Sequence, residues 1–166
     1  MLAAAVAAWH SHKEGNMAAY LVEEQELAEG QAAALTTSIG CPRGCALHDN
    51  GSPIINLRGP AWNSNQCFAR YDVEFTGNIW IPEGGTPAPV AVGIAAQGQV
   101  SQYSVGAATP AAVEEPSNVA CRATITVPKG NSYPVSLVRT IPPIGEAATP
   151  PAELTAKGIV TVTRTA

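Results

Sequence analysis

The sequence is poor in charged residues, which make up 13 % of its 166 residues, against about 25 % in an average globular protein. Lysine occurs only at Lys13, Lys129 and Lys157, and the formal net charge is −4. Binding to a nucleic-acid backbone requires clustered Lys and Arg side chains, so we expect no nucleic-acid partner. So few charges also predict that other copies of the chain, or a partner protein, cover part of the surface.

Long apolar runs are absent as well. No stretch approaches the roughly 18 apolar residues that a membrane-spanning helix needs, and we therefore expect no membrane partner. The opening run MLAAAVAAW has no basic segment before it and no evident cleavage site after it, which argues against a secretory signal. Patterned sequence begins near Met17, which is therefore an alternative start to Met1.

Proline and glycine are plentiful, with 14 and 15 residues respectively. Together with the many Ala, Val and Thr residues, they are typical of short strands joined by turns rather than of a helical bundle. The length suits one domain with a core of its own. We predict an N-terminal arm over residues 1–18, serving attachment or disordered, and a single β-domain over residues 19–166.

The clearest strand signal is the alternation of apolar and polar residues in CFARYDVEFTGNIWIP. It is typical of an antiparallel strand with one buried face. We expect a turn at Gly77–Asn78 inside this stretch, with the strand resuming at Ile79. The segment NVACRATITVP alternates in the same way, which predicts that Cys121 points into the core as a small apolar residue.

One strand carries small residues on one whole face. In VAVGIA the large apolar side chains alternate with Ala91, Gly93 and Ala95. A face of small residues permits close packing against another surface. We predict that this face packs against copies of the chain around a threefold axis.

The segment after Met17 is ambiguous. It fits two extended segments around a turn at Glu29–Gly30, or a helix over residues 17–28, because VEEQELAE contains good helix formers.

Along the whole chain, the patterns predict eight to ten short strands, without the alternation of strands and helices that marks a βαβ fold. This pattern predicts an all-β fold, a two-sheet antiparallel β-sandwich of the jelly-roll type. The Cys…Trp…Cys order of immunoglobulin domains is absent.

The stretch SIGCPRGCALHDNG raises the question of a metal or redox site, since it places two cysteines four apart with a histidine after them. Structural zinc needs four ligands, which Cys41, Cys45, His48 and Cys67 would supply. A structural disulfide, Cys41–Cys45 or Cys41–Cys67, is a second alternative. The three-residue spacer argues against a catalytic redox pair. We favour free thiols in a tight loop, and hence no metal.

Other candidates for catalysis are weak. Ser/His/Asp chemistry would need His48 with Ser52, and no nucleophile motif frames that serine. Glu114 and Glu115 are neighbours in a loop, where adjacent side chains of an extended chain point apart. The segment PEGGTP lacks the Lys-Ser/Thr ending of a phosphate-binding loop. We predict that the chain has no catalytic residues and no cofactor, and that it is not an enzyme.

Several segments resemble a known group of proteins. They are LAEGQAAALTTSI, CFARYDVEFTGNIWIPEGGTPAPVAVGIAAQGQ, TPAAVEEPSNVACRATITVPKGNSYPVSLVRT and GIVTVTRTA. In strand order and in the phrases F-x-G-x-I-x-I-P-x-G-G and A-T-I-T-V-P-x-G they resemble jelly-roll domains of bacteriophages and prophages. Related domains cap bacterial collagen-like proteins, and the group is similar to the trimeric heads of the tumour-necrosis-factor and complement type. The resemblance covers roughly residues 19–166.

The resemblance implies a homotrimeric structural protein of the virion, a capsid decoration or head-fibre subunit on the capsid surface. Its partner would be the phage major capsid protein or another virion component. An apolar arm with Leu2, Val6 and Trp9 would provide the attachment. The alternative is a receptor- or glycan-binding adhesin tip that recognises host surface glycans, for which Trp62, Trp80, Tyr103 and Tyr133 are the candidate aromatic residues.

Overall fold

The computed structural model describes residues 16–41, 44–141 and 153–166. Within these ranges, none of the secondary structure is a helix with the length and hydrophobicity of a membrane span. The described residues form ten strands. These are β1 (Met17–Leu27), β2 (Thr36–Ile39), β3 (Ala46–Leu47), β4 (Ile55–Arg58), β5 (Phe68–Trp80), β6 (Val90–Ala96), β7 (Gln99–Ala108), β8 (Ser117–Pro128), β9 (Ser132–Thr140) and β10 (Leu154–Arg164).

The strands form two five-stranded sheets in which every pairing is antiparallel. Sheet A has the order β2-β1-β10-β5-β8, and sheet B has the order β3-β4-β9-β6-β7. Consecutive strands often lie in different sheets, so the chain crosses between the two layers, as in a jelly roll. The prediction of an all-β, two-sheet jelly-roll sandwich is confirmed.

Alternation along the strands builds one core between the sheets. On β5, Tyr71, Val73 and Phe75 are fully buried. Their neighbours Arg70 and Glu74 are exposed. This is the alternation that the sequence predicts for the stretch, because successive side chains of a strand point to opposite faces of the sheet.

The segment after Met17 forms a strand, so the helical alternative is wrong. Ala18, Tyr20 and Val22 alternate into the core while β1 pairs with β10 along most of its length. Helix propensity is a weak preference that pairing and burial override. Because Met17 and Ala18 belong to β1, the domain begins two residues earlier than predicted. Residues 1–15 of the predicted arm lie outside the described residues.

The predicted turn at Gly77–Asn78 is also wrong, because β5 continues through both residues. Gly77 lies opposite Gly158 of β10. The ring of Phe75 packs over this glycine pair: a Cβ on Gly77 would lie 2.8 Å from ring atom Cζ, and one on Gly158 would lie 2.7 Å from Cε2. The glycines therefore make room for an aromatic ring inside a strand pair.

Replacing Gly158 by alanine should destabilise the domain by about 1–3 kcal/mol, the usual cost of overpacking a filled core. The new Cβ would lie 2.7 Å from the Phe75 ring and 2.5 Å from the carbonyl oxygen of Thr76. Urea unfolding of the two proteins measures the difference. Gly40→Ala is the control, since a Cβ there meets nothing within 4 Å. Equal unfolding midpoints for G158A and G40A would contradict this account of the Phe75 packing.

Candidate functional site

The cysteine loop is closed by a disulfide. Cys41 and Cys45 are bonded, with their Cα atoms 5.9 Å apart, so the favoured prediction of free thiols is wrong at both positions. A turn explains the pairing: the Gly44 amide donates a 3.0 Å hydrogen bond to the Cys41 carbonyl oxygen. Gly44 adopts a positive φ of 64° there, a conformation that glycine allows without strain. The spacing alone could not distinguish this turn from an open loop.

The other two residues of the zinc site that the sequence analysis considered and did not favour are His48 and Cys67. The His48 ring lies 2.8 Å from the Thr37 hydroxyl through Nδ1 and 2.9 Å from the Ser52 carbonyl oxygen through Nε2. The two ring nitrogens therefore join the segment after β3 to strand β2 and to the Ser52 main chain. Cys67 is a free, exposed cysteine. Among the residues that the structure describes, no group of three or more His, Cys, Asp or Glu could hold a metal ion.

Ser52 is not placed as a nucleophile beside His48. Its carbonyl oxygen contacts the imidazole, while its hydroxyl accepts a 3.1 Å hydrogen bond from the Ile54 amide. The pair that the sequence offers for Ser/His chemistry therefore forms a local structural network. A nucleophilic hydroxyl would instead have to lie within hydrogen-bonding distance of the base.

The small-residue face of β6 is covered within the subunit. Ala91 is fully buried and Ala95 is 3 % exposed. A Cβ on Gly93 would lie 2.7 Å from the Val100 side chain of the neighbouring strand β7. At Gly93 the close neighbour is therefore β7 of the same subunit. Packing against a second copy remains a prediction, to which these three residues have little surface left to contribute.

The opposite layer carries an exposed apolar surface. Leu21 of β1 lies opposite Ile159 of β10, which lies opposite Thr76 of β5. Leu21 and Ile159 are 37 % and 44 % exposed. On the edge strand β2, Ile39 adds a third large apolar side chain beside this row. We call this surface the outer patch of sheet A, and it comprises Leu21, Ile39, Thr76, Ala120, Ile159 and Thr161.

An ionic cluster borders the outer patch. An Arg122 nitrogen lies 2.5 Å from the Asp72 carboxylate, and Arg122 Nε lies 3.4 Å from Glu74. The Thr124 hydroxyl donates a 2.8 Å hydrogen bond to Asp72. This hydrogen bond and the Arg122 guanidinium hold the pKa of the Asp72 carboxyl below its usual value. Arg122 therefore pairs with two carboxylates, and the side chains of the outer patch itself carry no charge.

Tyr103 and Trp62 have the most exposed aromatic side chains among the described residues. Tyr103 on β7 is 88 % exposed, and Trp62, between β4 and β5, is 79 % exposed. The Trp62 ring lies against Gly130: a Cβ there would lie 2.8 Å from the indole Nε1. One face of the indole is therefore supported by the main chain while the other faces solvent. Trp80 and Tyr133, the other two aromatic candidates, are half-buried.

Comparison with known proteins identifies the fold. No family model and no curated protein sequence matches the chain. The Eiger TNF of S. frugiperda superposes with a TM-score of 0.57 at 6 % identity, over 91 % of this chain and 92 % of that one. The globular domain of the zebrafish complement 1qA protein superposes with a TM-score of 0.54 at 10 % identity, over 91 % and 98 %. The chain has the jelly-roll fold of these two proteins.

This likeness confirms the part of the sequence resemblance that concerns tumour-necrosis-factor and complement heads. The superpositions establish the fold, but at identities of 6 % and 10 % they leave the function open. The sequence did not reveal the outer patch, because Leu21, Ile39 and Ile159 lie far apart along the chain. The available signal was an apolar residue at an outward position of each strand, which is common and needs no explanation when it occurs singly.

The cysteines should differ sharply in reactivity. Cys67 is exposed, whereas Cys121 is buried, and burial raises the pKa of its thiol to about 11. At about pH 8 the Cys121 thiol is therefore both neutral and inaccessible. Titration with a thiol reagent should find one reactive thiol in the native chain, two after denaturation, and four after denaturation with reductant.

The variant Cys67→Ser is the control, and it should leave the native chain without a reactive thiol. Four reactive thiols in the denatured, unreduced chain would show that Cys41 and Cys45 are not bonded. Two in the native chain would show that Cys121 is accessible.

Proposed function

We propose that the chain is a non-enzymatic structural subunit that assembles as a homotrimer through the outer patch of sheet A. In this proposal the trimer decorates the capsid surface of a bacteriophage as a decoration protein or head fibre. It either stabilises the shell or displays an adhesive surface. The single observation that carries the proposal is the uncharged apolar row centred on Leu21 and Ile159.

The outer patch has the character of an interface core. Exposed large apolar side chains that adjoin one another on a soluble domain mark an interaction surface, whereas isolated ones do not. Charged residues are depleted at the centre of such interfaces and polar ones surround it. The patch follows this rule, with Leu21, Ile39 and Ile159 within it and the Asp72–Arg122 cluster at its margin.

The resemblance of the sequence to trimeric phage and tumour-necrosis-factor-like heads supports the number of copies and the virion location. A threefold ring needs one continuous surface on each subunit that meets copies of the same subunit. A sheet face that spans the five strands of sheet A can provide this surface. The predicted arm with Leu2, Val6 and Trp9 would then attach the trimer to the capsid, which is the partner in this proposal.

Ile159→Lys should dissociate the trimer. An ammonium group buried without a partner in an interface costs roughly 3 kcal/mol or more per subunit, so the variant should be monomeric where the wild type is trimeric. Light scattering after size exclusion should give the wild type a mass about three times the 17.1 kDa of one chain. The variant should give the mass of one chain.

Ile54→Lys is the matched control, because Ile54 is 42 % exposed against 44 % for Ile159 and lies outside the outer patch. It should leave the mass unchanged. A monomeric wild type would exclude self-assembly of the isolated chain, and dissociation by both variants or by neither would exclude the outer patch as the interface.

The chain that starts at Met17 should still form the trimer but lose attachment to the virion, because assembly lies in the sandwich and attachment in the arm. The measurement is co-sedimentation with heads isolated from the phage or prophage that encodes the chain. The full chain should sediment with the heads. Equal sedimentation of both chains would exclude the arm as the attachment segment.

A second candidate function is recognition of host glycans by an adhesin tip. The supported, solvent-facing indole of Trp62 favours it, since flat aromatic faces give large contact area at low entropic cost. A trimer that does not sediment with phage heads, but whose retention on immobilised glycans depends on Trp62, would favour this candidate over capsid decoration.

A further inference from the structure

A turn between β4 and β5 carries the exposed indole of Trp62. The Ser64 amide donates a 2.9 Å hydrogen bond to the Ala61 carbonyl oxygen, which places Trp62 and Asn63 at the two central positions of a β-turn. The Trp62 side chain is 79 % exposed. At this exposure the indole contributes little to the core of the sandwich.

The hairpin between β8 and β9 supports the ring from one side. A Cβ on Gly130 would lie 2.8 Å from the indole Nε1, so the ring rests where a larger residue would have its side chain. Gly130 adopts a positive φ of 76°, a conformation that glycine allows without strain. The glycine thus provides a seat for one face of the indole.

Hydrogen bonds fix the turn segment to the same hairpin. The Gly130 amide donates to the Pro60 carbonyl oxygen at 2.8 Å, and the Lys129 amide donates to the Cys67 carbonyl oxygen at 2.9 Å. Nζ of Lys129 donates to the Ser64 carbonyl oxygen at 2.5 Å. The indole is therefore positioned before any ligand arrives, so binding would cost little ordering of the protein.

A cleft of about 340 Å³ adjoins the turn. Ala61 and Ser64, the first and last residues of the turn that carries Trp62, both line this cleft. Its volume lies within the range of small-ligand sites, about 300–1,000 Å³. The turn therefore combines an aromatic face with a neighbouring cleft.

The cleft is lined by hydrogen-bonding groups of both kinds. Arg58 and the side-chain nitrogen of Gln66 can donate, whereas the Ser64 hydroxyl can donate and accept. Arg164 is already bonded there, through Nε to the main-chain oxygen of Ala166 at 3.0 Å and through Nη2 to Oε1 of Gln66 at 3.1 Å. A hydroxyl group both donates and accepts, whereas a carboxylate only accepts. Such a lining suits a ligand that is rich in hydroxyl groups.

We propose that Trp62 and this cleft bind an uncharged, β-linked oligosaccharide of sugars whose hydroxyl groups are all equatorial, as in glucose. Such a pyranose ring presents only C–H groups on its faces, and the electron-rich face of an indole attracts them. One sugar unit stacks on Trp62, and the hydroxyl groups of the next unit occupy the cleft. The proposal rests on the second candidate function, for which it names the ligand and the site, and none of its residues belongs to the outer patch of sheet A.

Titration of the full chain with cellobiose, followed by NMR, tests the proposal. The chain has three tryptophans, and the indole N–H signal that is missing from Trp62→Phe should be the one that shifts. It should saturate in the millimolar range, as expected for a small ligand held by few contacts. D-sorbitol carries hydroxyl groups without a ring face, and it should cause no shift.

Trp62→Ala should weaken cellobiose binding about tenfold or more, because the stacking surface is lost. The amide signals of Ala61 and Ser64 report binding in this variant. Trp62→Phe keeps a smaller aromatic face and should fall between Trp62→Ala and the wild type. Tyr103→Ala is the matched control, since Tyr103 is 88 % exposed and lies on β7, and it should bind like the wild type.

Gly130→Ala tests the seat of the indole. The new Cβ would occupy space that the ring fills, so cellobiose binding should weaken although Trp62 is still present. Gly84→Ala is the control for backbone strain, because Gly84 has a φ of 87° and a Cβ there meets nothing within 4 Å. It should bind like the wild type. If Gly130→Ala does not fold, Trp62→Ala decides the question, because Trp62 lies outside the core.

The absence of saturable shifts up to roughly 50 mM cellobiose would overturn the proposal. Equal shifts with sorbitol, or equal affinities in Trp62→Ala and Tyr103→Ala, would have the same meaning. Retention on immobilised host glycans that persists in Trp62→Ala would support the second candidate function and overturn this site. Saturable cellobiose binding at Trp62 without retention on host glycans would support the site and contradict that function.

Discussion

The structure depends on the pairing of its first strand with its last. β10 lies between β1 and β5 in sheet A, and its register with β1 runs from Met17 opposite Thr163 to Leu27 opposite Leu154. Without β10, the pair β1–β2 would have no bond to the rest of sheet A. The pairing joins residues more than a hundred positions apart, so the core cannot close until the C-terminal strand has been placed.

The outer patch of sheet A results from this insertion. β10 carries Ile159 on its outward side, where it joins Leu21 in the outer patch. It carries Arg164 at its end, opposite Tyr71 of β5. The glycine pair Gly77–Gly158 in the same strands admits the Phe75 ring to the core. One strand therefore contributes to stability and to the assembly surface that we propose.

The errors of the sequence interpretation have a common physical origin. Gly77–Asn78 looks like a turn because glycine and asparagine favour turns locally. In the folded chain, however, Gly77 is required because the Phe75 ring packs against it. The Cys41–Cys45 bond depends on a backbone turn at Gly44 that residue spacing does not encode. The helix alternative after Met17 rested on propensity, which pairing with β10 overrode. Each case required knowledge of a distant or conformational partner.

What the sequence by itself determined is the set of residues that face inward and the all-β class. Period-two alternation is a local property, and it placed residues such as Tyr71, Val73 and Cys121 correctly. Only the tertiary structure decided which exposed residues lie next to one another on the surface. Leu21 and Ile159 are neighbours only because of strand order and register, which long-range pairing sets. A surface site consists of residues that are distant in sequence and become neighbours in the fold, so no local sequence pattern predicts it.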